Sequence, residues 1–146
     1  MPIVIEQSDL DNINRTFARL DELARRGAIK HLADGVHERA IDYADRHTKT
    51  GAMFRSIYKM RIDGGYEIGA DPAIAPYAIF VHWGTRPHTI EPKDKKALWF
   101  TNRGGMFQFA KKIHHPGYAG DPFLTNAIKD ELPNFNNWME RQINDL

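Results

Sequence analysis

The spacing of apolar residues changes period twice along this chain, and that limits the fold more than any composition figure. Leu10, Ile13, Phe17 and Leu20 recur at three and four residues, and Ile29, Leu32, Val36, Ala40 and Tyr43 do the same. Such spacing puts one apolar stripe on a helix. Helix is expected over residues 9–26 and 28–46, with Gly27 either a kink or a turn between two helices. Ser8 is the expected N-cap, and Asp9 and Asp11 place negative charge at the positive end of the helix dipole. The period then falls to two. Tyr58, Met60 and Ile62 alternate with Lys59, Arg61 and Asp63, the pattern of a half-buried strand. Gly64-Gly65 supplies a two-residue turn, and residues 66–70 return as the second strand of a hairpin.

Residues 77–83 form a continuous apolar run that fits a short buried strand or a short helix equally well. Pro87, Pro92 and a run of charges suit an exposed loop over residues 86–96. Residues 97–101 and 106–113 are expected to form a second hairpin around Arg103-Gly104-Gly105. The helical period returns after Pro122 with Phe123, Leu124, Ala127 and Ile128. Pro133 lacks an N–H and clashes with the preceding turn, so it is expected to begin a last helical segment carrying Phe135, Trp138, Met139 and Ile143. The expected class is α+β: N-terminal helices, a small mainly antiparallel β-sheet built from hairpins, and a C-terminal helix. One domain is expected over residues 1–146, with 9–46 helical, 54–113 mostly β and 122–145 helical.

A chain of 146 residues can bury about 70% of its extended surface and so hold its own core. Lys and Arg number 20 against 19 Asp and Glu, so the whole molecule lacks the basic excess typical of a nucleic-acid binder. The chain has no cysteine, which excludes disulfides, thiolate catalysis and Cys-type zinc sites within it. No apolar run approaches the ~20 residues needed to span a bilayer. The first nine residues carry early acidic side chains and no basic run, so no signal peptide is expected.

Histidine is the most tempting chemistry. His82, His88, His114 and His115 would serve as imidazole ligands for zinc or a similar ion if they converged. Their spacing matches no metal motif, and adjacent residues on a strand point to opposite faces. A structural or hydrogen-bonding role is expected for all four, with no metal and no cofactor. Asp42 with Asp45, and Asp63 with Glu67, have the charge to hold magnesium, but the first pair sits beside Arg39 and Arg46 as a solvated face would. There is no nucleophile elbow and no Gly-rich phosphate loop opening a helix. No catalytic residue is assigned.

Lys93, Lys95 and Lys96, then Lys111 and Lys112, form two basic clusters that blunt a sheet edge or contact DNA phosphates or an acidic partner. Trp83, Trp99, Phe100, Phe107, Phe109, Tyr118 and Phe123 all fall in the second half. That is more aromatic surface than one small sheet hides, and the excess marks an interface. Trp99, Phe107 and Phe109 on the hairpin, and Phe17 and Leu20 on the N-terminal helix, are the interface candidates.

Several short motifs stand in a fixed order: Thr50-Gly51, Ser56-Ile57, Tyr77-Ala78, Val81-His82, Gly84-Thr85, His115-Pro116-Gly117 and Pro122-Phe123-Leu124. In this order, over about residues 30–130, the chain resembles the tail-completion or neck proteins of long-tailed bacteriophages. It departs from that pattern by an aromatic hairpin inserted between Gly84-Thr85 and His115-Pro116-Gly117, and at Met53-Phe54. The resemblance implies a structural virion protein of the head–tail junction or tail end, made in the host cytoplasm. It implies a homo-oligomeric ring around the DNA path, in contact with head-joining (stopper) and tail-tube proteins, touching passing DNA without sequence preference and carrying out no catalysis or membrane binding. The N-terminal helical face and the aromatic hairpin are expected on opposite sides of each ring interface. The alternative is a small metal-dependent nuclease or hydrolase built on the four histidines.

Overall fold

The computed structural model describes residue 4, residues 6–102 and residues 104–145. The chain is α+β, with helices before and after a set of small antiparallel ribbons. It runs α1 (Gln7–Glu22), a π-helical turn (Leu23–Ala28), α2 (Ile29–Asp45), α3 (Ala52–Arg55), β1 (Ile57–Ile62), β2 (Gly65–Ala70), α4 (Ala78–Trp83), β3 (His88–Ile90), β4 (Leu98–Thr101), β5 (Phe107–Ala110), β6 (Ile113–His115) and α5 (Phe123–Asn144). The strands pair as β1–β2, β3–β6 and β4–β5, each two-stranded and antiparallel. Contacts gather into two compact units, Met1–Ala78 with Phe123–Leu146, and Ile79–Pro122.

The first unit is organised on the α2–α5 pair. α2 buries Ala33, Val36, Ala40 and Ala44, and α5 buries Phe123, Ala127 and Glu131. Small side chains let the two backbones come close, and a Cβ on Gly35 would overlap the Glu131 side chain. Arg39 Nε donates to the Glu131 carboxylate. That pairing is needed, because an unpaired buried charge costs several kcal/mol, on the order of 3–5. Tyr43 donates to Asp130 at 2.5 Å, and His31 stacks on Trp138 with ring centroids 4.1 Å apart. The order of these pairs makes the helices antiparallel. On its other side α2 reaches β1 through Asp34, which binds both Lys59 and Lys30.

The stretch from Thr50-Gly51 to Ser56-Ile57 holds the short helix α3 and leads directly into β1. Met53 and Ser56 are fully buried there. Ser56 Oγ donates to the Met53 carbonyl at 2.6 Å, and the Ser56 carbonyl accepts from Asp71 N–H at 2.8 Å.

Four local expectations change. Glu6, not Ser8, caps α1: its N–H donates to the Asp9 carboxylate at 3.0 Å, the reach-back half of a capping box. Gly27 makes no turn between two separate helices but lies in the π-helical turn that carries α1 into α2. The first hairpin turns on Asp63-Gly64, since Ile62 already faces Gly65 and of the two glycines only Gly64 has positive φ, at 76°. Pro133 lies inside α5; contacts of α5 with α2 before and after it, at Glu131 and Trp138, keep the helix going despite the lost hydrogen bond.

In the second unit, the run read as strand or helix is α4, which ends at Gly84. Thr85 and Tyr118 exchange backbone hydrogen bonds of 2.8 and 2.9 Å, and Asp121 N–H donates to Val81 O at 2.7 Å. This clasp brings Gly84-Thr85 and Pro116-Gly117 together from opposite ends of the unit. β3 lies inside the segment expected to be a loop, and the expected strand 106–113 splits at the exposed Lys111 and Lys112. β5 pairs back with β4, whereas β6 changes partner to β3.

Candidate functional site

The β4–β5 ribbon carries a strongly exposed apolar face. Its register sets Trp99 opposite Phe109 and Thr101 opposite Phe107, while Leu98, Phe100, Gln108 and Ala110 take the other face. Residues directly opposite across a ladder share a face, so Trp99, Phe107 and Phe109 stand together. They are 62, 63 and 74% exposed. Trp99 and Phe107 stack at 4.7 Å with planes 17° apart. On the other face Leu98, Phe100 and Ala110 are half-buried. The ribbon has no third strand, and a lone two-stranded hairpin is marginal in water.

The turn of this ribbon is held by Asn102, which the sequence pattern did not single out. Its Oδ1 accepts from the N–H groups of Gly104 and Met106 at 2.9 and 3.0 Å. An Asn side chain closing on its own following backbone is the recognised signal for such a turn. Arg103, placed at the tip in the sequence reading, lies outside the described residues.

A second apolar face lies on α1. Leu10, Ile13 and Phe17 are exposed, Phe17 at 65%, and Leu20 is half-buried. No residue of this 16-residue helix is buried. A helix of that length is marginal on its own in water and ordinarily draws its stability from packing an apolar face. All five interface candidates thus lie on surface that the described chain leaves open or half-open.

The lysines Lys93, Lys95, Lys96, Lys111 and Lys112 are all exposed. Lys112 comes within 3.4 Å of Glu91, both well solvated, a pair of little energetic weight. A separate basic groove in the first unit is lined by Arg25, Lys30 and Arg61. Its charge is largely compensated, since Arg25 pairs with Asp21 and Lys30 with Asp34.

The four histidines do not gather as one set. His88 and His115 face each other across β3–β6 and stack at 5.0 Å. His115 Nδ1 accepts from Gly117 N–H at 3.0 Å, and His88 Nδ1 lies 2.8 Å from the Arg86 carbonyl. His114 is exposed on the opposite side of the strand, and His82 is buried on α4 against the edge of Trp83. Among the described residues no three His, Asp or Glu side chains gather as a metal site would require. Asp42, Asp45, Asp63 and Glu67 are exposed. No described helix is long and apolar enough to cross a membrane.

Burial lowers the pKa of His82 below its ordinary value, and the charge of Asp121 opposes this in part. Above pH ~6.5 folded and unfolded chains both hold a neutral imidazole. As the pH falls through that value the unfolded chain takes up a proton that the native one takes up only at lower pH, so stability declines. The melting temperature is therefore expected to fall between about pH 7 and pH 5, and the slope is expected to flatten in His82→Gln. An unchanged slope in that variant would remove His82 as the cause.

Compared with protein-family models, with curated proteins and with solved structures, the chain matches none.

Proposed function

We propose that this chain is a structural virion protein of a bacteriophage neck or tail end, a tail-completion or head–tail connecting component that assembles as a ring around the DNA path and performs no catalysis. The observation that carries assembly is the exposed face of Trp99, Phe107 and Phe109. Three large aromatics aligned on one face exceed the scattered apolar residues normal to a monomer's surface. Placement in a phage neck rests on the ordered motifs that resemble the tail-completion family. Their roles in the fold support that reading: Gly84-Thr85 and Pro116-Gly117 meet in the Thr85–Tyr118 clasp, Ser56 and Ile57 are buried at the head of β1, and Phe123 is buried at the start of α5. These are scaffold positions, as a structural protein requires.

A ring of identical subunits needs two different surfaces on each copy, and α1 and the β4–β5 ribbon supply two. The expected neighbours are a second copy on each side, with head-joining and tail-tube proteins above and below. The decisive experiment removes the gene from a phage that encodes this chain and images the particles. Filled heads lacking attached or finished tails, restored when the gene is supplied in trans, are the expected outcome. Normal infectious particles from the deletion would defeat the proposal.

A further inference from the structure

We propose, resting on the ring reading, that the interface is formed by α1 of one copy lying across the Trp99–Phe107–Phe109 face of the next, steered by opposite charge. Each surface needs a cover. α1 leaves Leu10, Ile13 and Phe17 in solvent and buries nothing, and the ribbon presents three aromatics that no described element covers. Charge selects the pairing. Ile79–Pro122 holds seven Lys and Arg against three Asp and Glu, a net +4, while the rest of the chain holds thirteen against sixteen, a net −3. Within α1, Asp9, Asp11, Asp21 and Glu22 outnumber Arg15 and Arg19, Asp21 being paired with Arg25 of the following turn. Around the ribbon, Lys93, Lys95, Lys96, Lys111 and Lys112 outnumber Glu91, which lies 3.4 Å from Lys112, and Asp94.

Two copies meeting α1 to α1 would set acid against acid, and ribbon to ribbon would set lysine against lysine. Only the unlike pairing joins opposite signs, and like-charge juxtaposition is what suppresses wrong partners. The unlike pairing is also heterologous, so it propagates into a ring where a like pairing would stop at a dimer. The size is adequate in combination. Three aromatics at this exposure offer roughly 400 Å² of apolar area, about half of the ~800 Å² per partner of a standard interface. The lysine rim and the acidic flanks of α1 then make up its polar border.

The absence of native cysteine makes cross-linking clean. Full-length Phe17→Cys and Phe109→Cys chains, each altered at an exposed position, are mixed and oxidised, alongside each alone. The mixed disulfide is expected to exceed either homodimer ~10-fold or more, the ratio that 1.4 kcal/mol of preference gives. It is expected to fall at high salt and in Lys95→Glu/Lys96→Glu chains. A disulfide homodimer of either variant that matches or outweighs the mixed product would overturn the pairing. So would an oligomer, seen by light scattering, that yields no mixed disulfide; that result leaves the ring standing and removes only this contact. A chain that stays monomeric at every concentration and gives no cross-link would overturn both. A mixed disulfide indifferent to salt and to the lysine changes, with DNA retention lost in those variants, would assign the lysines to nucleic acid and overturn the steering.

Discussion

Replacing Gly84 by Ala is expected to lower the melting temperature by about 10 °C, far more than one methyl group would suggest. Gly84 adopts φ +80°, and a Cβ there would sit inside hard contact with the Tyr118 carbonyl oxygen and within 3 Å of Ala119 C and Gly120 N. All three are backbone atoms and cannot swing aside. The left-handed conformation alone costs an L-residue about 1–2 kcal/mol. Pushing Tyr118 away also strains the two Thr85–Tyr118 hydrogen bonds, each worth about 1 kcal/mol net. Together these give about 3–4 kcal/mol. Gly64→Ala is the built-in control. It has φ +76° but nothing within 4 Å of an added Cβ, so it should show only the conformational part. Thermal melts of the two variants separate strain from overlap. Equal losses would mean that the clasp between Gly84-Thr85 and Pro116-Gly117 is not closed in solution.

The clasp also marks where the sequence stops being legible. Periodicity gave α1, α2 and the β1–β2 ribbon, because those depend on neighbours three, four or two residues away. Gly84 and Pro116-Gly117 are turn-forming residues by their own chemistry, but that Thr85 bonds Tyr118 is a contact across 33 positions, and no local pattern encodes it. The same holds for β6 leaving β5 to pair with β3. Pro133 carries a local penalty, which the α2 surface on either side of it offsets. Alternation along a strand puts Phe107 and Phe109 on one face, as the register bears out. Which face meets solvent depends on what the remainder of the unit covers, and only the three-dimensional arrangement shows their exposure. For α1 the stripe was legible and its lack of a partner was not, since a stripe looks the same whether its cover lies in the same chain or in another. Of the four histidines, the sequence correctly set His114 and His115 on opposite faces, but the stacking of His115 with His88 again needed the long-range pairing.

Changing Phe107 and Phe109 together to Ser is expected to leave a folded subunit that no longer assembles. Core phenylalanines lose about 3–5 kcal/mol each on truncation. These two are 63 and 74% exposed, so most of their area is in water before and after the change. The loss within the subunit is then mainly the Trp99–Phe107 stacking, worth about 0.5–1.5 kcal/mol, or a few degrees of melting temperature for a chain of this size. The interface suffers much more. Central aromatic anchors typically cost 2 kcal/mol or more apiece, so losing two should weaken association ~1,000-fold. Circular dichroism with thermal melting reads the first effect, and light scattering with electron microscopy of particles carrying the variant reads the second. Phe100 is the internal comparison, because alternation places it on the half-buried face of the same ribbon. Phe100→Ser should do the reverse, lowering the melt more per residue while sparing assembly of whatever stays folded. A double Ser variant that assembles normally would show that this face meets no neighbour. A collapsed melt would show that something in the folded chain covers it, and the ring would then lose the surface on which it is built.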